Sequence, residues 1–268
     1  MNVSSRYLGC GRSPAWCGLL CLLALAAGCG YFRNLNTFEY LEHGYTFVLP
    51  GIEGESLFNS NIAQGLSNGG VDTAIEVHDW TTGTWLLFPV HLRDLERNRR
   101  EAAELAAKIV EYQDRYPGLP VHLVGHSGGG GMALLTLEAL PEGRQVTTAI
   151  LLAPAVAPDY DLRPALAKTE RGIWNFYSTL DAAYLMAGTT IAGTIDGKHT
   201  SSAGAIGFDK LADLSNEDVQ VYDAKLHQVP YDWKMAASGN FGSHTGPTWI
   251  QFSRDYIAPI IRGQSTGE

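Results

Sequence analysis

Residues 121–137 read Val-His-Leu-Val-Gly-His-Ser-Gly-Gly-Gly-Gly-Met-Ala-Leu-Leu-Thr-Leu. A short apolar run stops at Gly125-His126-Ser127-Gly128-Gly129, and a second apolar run of helical character starts at Met132. A Gly-x-Ser-x-Gly between a strand and a helix puts the serine on a sharp turn, with its Oγ lifted above the strand end. Gly125 and Gly129 leave room for that turn and for close packing of strand on helix. The competing reading is a glycine-rich turn with an incidental serine. The strand before it and the helix after it argue against that.

The surrounding pattern alternates in the same way. Apolar runs predict strands at 45–49, 73–78, 146–152 and 172–178, and a last strand at 219–226. Apolar positions 58, 62, 63 and 66 have helical spacing, which predicts a helix over 56–68 that ends at Asn68-Gly69-Gly70. A long amphipathic helix is predicted over 94–116. Ala102, Leu105, Ala106, Ile109, Val110 and Gln113 share one face, Glu104 and Lys108 pair four residues apart, and Pro117-Gly118 stops the helix. A short helix is expected near 164–170, loop over 187–207, and a final helix from Gly246-Pro247 to about 261. Strands alternating with helices imply an α/β class, with a mostly parallel sheet covered on both faces. The domain is expected over 45–262. A linker at 29–44 with an edge strand around 38–41 precedes it, and a tail at 263–268 follows.

The chain has 268 residues, 45% of them hydrophobic, which suits one domain with a sizeable core. Its net charge of −9, without a basic cluster, gives no footing for nucleic acid. Arg6 and Arg12 are the only charges before Gly28, and an apolar run at 19–27 follows them. The run is shorter than the ~20 residues of a membrane span and reads as a secretory signal over 1–28. Leu25-Ala26-Ala27-Gly28-Cys29 resembles a bacterial lipoprotein signal, in which Cys29 would be lipid-modified after cleavage. Ordinary cleavage near Ala26 is the alternative and would give a soluble exported protein. Loss of Arg6 and Arg12 makes the body two units more acidic, so membrane association would come from the lipid and not from charge. All four cysteines, at 10, 17, 21 and 29, lie in or at the end of this segment. The domain beyond it therefore has no thiol nucleophile and no disulfide pair. No spaced His/Glu pair or Cys cluster points to a metal, and no cofactor is expected.

A serine hydroxyl needs a base within hydrogen-bond reach, and the base needs an orienting carboxylate. In a parallel sheet these groups collect at the C-terminal ends of strands. Asp181 lies just past the strand predicted at 172–178; a helix N-cap is its other reading. Asp159, Asp161 and Asp196 follow no clear strand end, and Asp209 and Asp213 lie in helix or loop. Of the histidines after Asp181, His244 lies between glycines before the final helix. His199 is its rival as base, and His227, at a strand end among apolar neighbours, suits a structural role. His126 is expected to pack and hydrogen-bond locally. An oxyanion would be held by the backbone N–H of Gly128, at the start of the post-serine helix, and by that of Ile52 in the Pro50-Gly51-Ile52 loop. That loop could also be a plain turn. Trp80, Trp85, Trp174 and Trp233 could line a groove, although core or strand-edge packing is the commoner role.

These residues resemble the α/β-hydrolase superfamily over roughly 45–262. The elbow Gly125-His126-Ser127-Gly128-Gly129 is similar to that of lipases and esterases. The order Ser127, Asp181, His244 and the Gly-x type of oxyanion loop match as well. The resemblance implies a three-layer fold without a large cap domain, since no long insertion follows residue 152. It also implies Ser127 as nucleophile, His244 as general base and then acid, Asp181 as its partner, and Ile52 and Gly128 as oxyanion donors. The reaction it implies is cleavage of a carboxylic ester, with a small-molecule or lipid ester as substrate; an envelope lipoprotein that uses the same fold as a catalytically silent binding module is the competing reading. The antiparallel start of the sheet usual in the superfamily has little sequence here, so a short sheet is expected, and 182–216 could cover part of the site.

Overall fold

The structure, a computed structural model, describes residues 35–83, 91, 93–181 and 194–264. Six strands form one sheet: β1 (Tyr45–Leu49), β2 (Ala74–Val77), β3 (Val121–His126), β4 (Thr148–Leu152), β5 (Ile173–Tyr177) and β6 (Leu226–Pro230). Their spatial order is β2-β1-β3-β4-β5-β6, and every pairing is parallel. The chain runs outward from β1 to β2 and then returns to the other side of β1 as β3. The order therefore reverses between β1 and β3, where Leu49 pairs with Gly125. Ligand crevices in open α/β sheets form at such a reversal, beyond the C-terminal ends of the strands.

Alternation along the strands gives the sheet two apolar faces. Phe47, Leu123 and Leu151 point to one core, and Val48, Val124 and Ile150 to the other. The first core is covered by Ala102, Leu105 and Ile109 of a helix at Leu95–Arg115 and by Met132, Leu134 and Leu137 of a helix at Gly128–Ala139. The second is covered by Ile62 and Leu66 of the helix Leu57–Asn68 and by Phe252, Ile257 and Ile261 near the C-terminus. The result is three layers, a parallel sheet between two layers of helices.

Helix ends follow local chemistry. Ser56 accepts from the Phe58 N–H while Asn59 accepts from the Ser56 N–H, closing a capping box. Asp94 caps the long helix by accepting from the Arg97 N–H.

Three local expectations are corrected. Residues 38–41 are a short helix, Phe38–Leu41, and not an edge strand. Residues 219–226 are not the last strand: Asn216–Lys225 is helical, with Ser215 and Asp218 forming a capping box, and the strand follows as β6. Here the cap outweighs the β-branched Val219 and Val221. The final helix also does not open at Gly246-Pro247. A 3-10 turn at Gly246–Thr248 precedes Ile250–Phe252, a π-helical turn at Ser253–Ile257 and Ala258–Ile261. Pro259 has no N–H to donate within that last stretch. The signal at 1–28, Cys29, Trp85 and 182–193 lie outside the described residues.

Candidate active site

Ser127 sits at the C-terminal end of β3 with φ 55° and ψ −120°, a conformation that side-chain-bearing residues rarely adopt. Such a backbone costs roughly 1–3 kcal/mol and persists only where its surroundings enforce it. The surroundings here are the ends of neighbouring strands. The Ser127 N–H donates to the Leu152 carbonyl at 2.9 Å, and the Ser127 carbonyl accepts from Ala155 and Gly130, each at 3.0 Å. Glycine is required on both sides of the turn. A Cβ on Gly125 would come within 2.2 Å of the Gly129 carbonyl oxygen, and one on Gly129 within 2.2 Å of the Leu49 carbonyl oxygen.

The structure brings Ser127, His244 and Asp181 together from across the chain. His244 Nε2 lies 3.0 Å from Ser127 Oγ, and His244 Nδ1 lies 2.8 Å from Asp181 Oδ2. Asp181 ends a 3-10 turn, Thr179–Asp181, immediately after β5, and is 1% exposed. His244 is carried by a loop that turns at Gly239 and Gly242, both with positive φ. The loop is tied by the Gly242 N–H to Asn240 Oδ1 and by the Gly246 N–H to the Ser243 carbonyl. Ser127 itself is only 7% exposed. The geometry is that of a hydroxyl with a base in reach, and of a base with an orienting carboxylate. His199, the rival base, lies on an exposed loop, and it is His244 Nε2 that meets Ser127 Oγ. Asp159 pairs with Lys198, and Asp161 with Arg163.

The β1 loop lies against the elbow because β1 and β3 are neighbours. A Cβ on Gly128 would sit 3.6 Å from the Ile52 nitrogen, which puts the two expected oxyanion donors side by side. The loop is pinned on both sides of the Gly51–Ile52 peptide. Trp80 Nε1–H donates to the Pro50 carbonyl at 2.8 Å, and His91 Nδ1–H donates to the Ile52 carbonyl at 2.8 Å. His91 Nε2 then accepts from the Thr82 N–H at 3.1 Å, which fixes the tautomer, and the His91 carbonyl accepts from Asn98. Trp80 is thus a buried strut and not a groove residue, and Trp174 stacks on His227 at the β5–β6 pair. His91 carries no sequence signal of its own, since its partner is a backbone carbonyl 39 residues away. Glu53, next in the loop, has its carboxyl pushed up by burial. Backbone N–H groups and the nearby His244 oppose that shift only in part.

His126 is fully buried beside the base, with ring centroids 5.0 Å apart. Its Nε2 lies 3.0 Å from the His244 carbonyl oxygen, so that nitrogen carries the proton and donates. Burial, and then the neighbouring His244, push its pKa down to about 3. It is therefore a neutral tether between the elbow and the histidine loop. A second imidazolium there would oppose charge on His244.

The family model described as serine aminopeptidase, S33, matches residues 89–202. No curated protein matches the chain. Among solved structures, lipase B of Aspergillus fumigatus superposes with a TM-score of 0.53 at 13% identity, over 87% of this chain and 55% of the lipase. A protein of Xanthomonas campestris pv. campestris, described as a hydrolase of the alpha/beta superfamily, gives 0.43 at 17% identity over 82% of this chain and 99% of its own. The dienelactone hydrolase-like promiscuous phosphotriesterase P91 from metagenomic libraries gives 0.49 at 11% identity, over 82% and 86%. At such identities the lipase overlap speaks to fold, and that fold is the α/β-hydrolase fold.

Proposed function

We propose that this chain of the α/β-hydrolase superfamily is a serine hydrolase that cleaves a carboxylic ester through an acyl-enzyme on Ser127. The observation that carries the reading is the unbroken path from Ser127 Oγ through His244 to Asp181, with links of 3.0 and 2.8 Å. His244 Nε2 takes the hydroxyl proton as Oγ attacks the carbonyl carbon. The tetrahedral oxyanion is held by the N–H groups of Ile52 and Gly128. His244 then gives its proton to the departing alkoxide, and the alcohol leaves. Water, deprotonated by His244, attacks the acyl-enzyme, and collapse of the second tetrahedral state releases the acid and restores Ser127. Asp181 stays ionised and stabilises the imidazolium in both halves. Amide cleavage uses the same parts, and the match to a family described as serine aminopeptidase favours it as the second reading.

Purified protein offered nitrophenyl esters, aminoacyl nitroanilides and a fluorophosphonate probe tests both. Ester turnover and labelling are expected in the wild type and neither in Ser127→Ala. Equal labelling of the two proteins would remove Ser127 from the mechanism, and anilide turnover without ester turnover would select the second reading.

We also propose that Cys29 carries a lipid that anchors the exported protein to the cell envelope. The motif at 25–29 supports this. Cys29→Ser is expected to move the protein from the membrane fraction to the soluble fraction, and an unchanged distribution would sink the anchor.

A further inference from the structure

The exposed large apolar side chains are unevenly placed. Apart from Phe38, those among the described residues are Leu57, Phe58, Leu180, Trp233, Phe241 and Trp249, together with Ile206. Each of these belongs to a segment at the C-terminal ends of the strands. Leu57 and Phe58 open the helix that follows the β1 oxyanion loop. Leu180 directly precedes Asp181 after β5. Trp233 lies three residues past β6, and Phe241 and Trp249 flank the His244 loop.

Two of them lie against the glycines of the loop that carries His244. A Cβ on Gly242 would meet Leu180 Cδ1 at 2.9 Å, and one on Gly239 would meet Trp249 Cγ at 3.2 Å. Ile206 belongs to the same edge, because its helix is held there by the Ser178 N–H donating to the Gly204 carbonyl at 3.0 Å. Leu57 is 71% exposed, Trp233 76% and Phe241 67%, so packing among the described residues leaves them uncovered.

The occupant of this face is constrained by what the face surrounds. The side chains come from both sides of the Ser127–His244–Asp181 site. A protein partner lying across them would cover the site, whereas a lipid layer would cover them and present an ester at the same time. Two of them are tryptophans, whose rings settle at the boundary between headgroups and acyl chains. The charge of the chain is −9, and the charged neighbours of Trp233, Asp232 and Lys234, are of opposite sign. That suits a zwitterionic surface and opposes an anionic one.

Resting on the proposed ester hydrolysis, we infer that this apolar collar docks the catalytic edge on a zwitterionic lipid surface, and that the substrate is a lipid ester held in it. The substrate is drawn from the layer and not from bulk water. Insertion of the collar sets how often a carbonyl reaches Ser127, while the chemistry on a dissolved ester is independent of it.

The test uses the full chain with phosphatidylcholine vesicles that contain a fluorogenic diacylglycerol-like ester, and a soluble nitrophenyl acetate control. Leu57→Ser, Trp233→Ser and Phe241→Ser are expected each to lower turnover of the vesicle-borne ester by about tenfold, the loss of one inserted apolar side chain. Soluble-ester turnover should change little. Brominated phosphatidylcholine should quench tryptophan fluorescence in the wild type, and less in Trp233→Phe and Trp249→Phe. Phosphatidylglycerol vesicles should bind more weakly than phosphatidylcholine vesicles. Collar variants with wild-type vesicle turnover and quenching would overturn the proposal. So would a concentration-dependent dimer that the same variants abolish, because the face would then belong to a second copy. Ser127→Ala separates the two readings. Vesicle binding that survives in it with no hydrolysis by the wild type rejects the enzyme reading alone, and hydrolysis by the wild type without vesicle binding rejects the docking alone.

Discussion

Two carboxylates of this protein sit in hydrogen-bonded clusters of opposite design. On the β1–β2 edge, Glu76 accepts from Tyr45 Oη, from Asn36 at 2.9 Å and from Lys108 Nζ at 2.5 Å, with His78 Nδ1 at 3.4 Å. Burial would raise its carboxyl, but donors from His78, Lys108 and Tyr45 outweigh that and bring it down to about 2. At the strand C-termini, Asp181 is more deeply buried, and its Oδ2 serves His244. Its Oδ1 has no hydrogen-bond partner among the described residues. Beside it stands a serine in a strained backbone. The first cluster saturates a charge, and the second leaves groups under-satisfied and poised, which is where folds place function.

Exchanging each carboxylate for its amide should separate the two clusters. Asp181→Asn keeps the shape and removes the charge that selects the His244 tautomer. Turnover is expected to fall by about four orders of magnitude, with folding stability within about 1 kcal/mol of wild type. Glu76→Gln should do the reverse, losing about 1–3 kcal/mol of stability at neutral pH with turnover intact. Steady-state kinetics and urea unfolding on both variants check this. A Glu76→Gln protein as inactive as Asp181→Asn would erase the distinction.

The Ser127–His244–Asp181 cluster is the more legible of the two in sequence, for a physical reason. Ser127, Asp181 and His244 each occupy a place that the strand pattern marks: a glycine-bounded turn, the residues just past a strand, and a glycine loop before a helix. Strand runs such as 45–49 and 148–152 are apolar on both faces, and that composition fits few other elements. What stays hidden depends on distant backbone. Trp80 and His91 pin carbonyls 30 and 39 residues away, and no local pattern encodes a carbonyl. The His126 tether reaches 118 residues. The helix at 216–225 is readable from Ser215-x-x-Asp218, but Val219 and Val221 suggest a strand. β6 is hard to read because Leu226-His227-Gln228-Val229-Pro230 is a half-exposed edge strand with two polar residues.

Acid should strike the two regions at different pH. His122 and His126 are buried and held neutral, each pushed down to about 3 by desolvation first. Unfolded, they take up protons near 6.5, so the stability linked to them is whole above 6.5 and is lost as pH falls toward 3. The slope is roughly 1.4 kcal/mol per pH unit for each histidine. Glu76 titrates near 4.5 when unfolded and about 2 when folded, so its contribution begins to fail only below 4.5. Urea midpoints measured across this range should fall in two stages. His126→Gln should flatten the upper stage and Glu76→Gln the lower. A single stage unaffected by Glu76→Gln would mean that the Glu76 carboxyl is not depressed in the folded protein.

The smallest effect expected is a gain. Ser127 holds φ 55° and ψ −120° with a side chain attached, and an alanine at this position would inherit the same strain. Glycine would not, because it enters this region without a Cβ penalty. Against that relief of about 1–3 kcal/mol stands the extra freedom of glycine in the unfolded chain, about 0.5–1 kcal/mol. Ser127→Gly is therefore expected to be inactive yet about 1 kcal/mol more stable than Ser127→Ala in urea titrations. No such gain should come from Glu76, where every substitution removes a satisfied partner. A Ser127→Gly protein no more stable than Ser127→Ala would mean that the elbow holds its shape without storing strain, and that the contrast between the two clusters rests on hydrogen bonding alone.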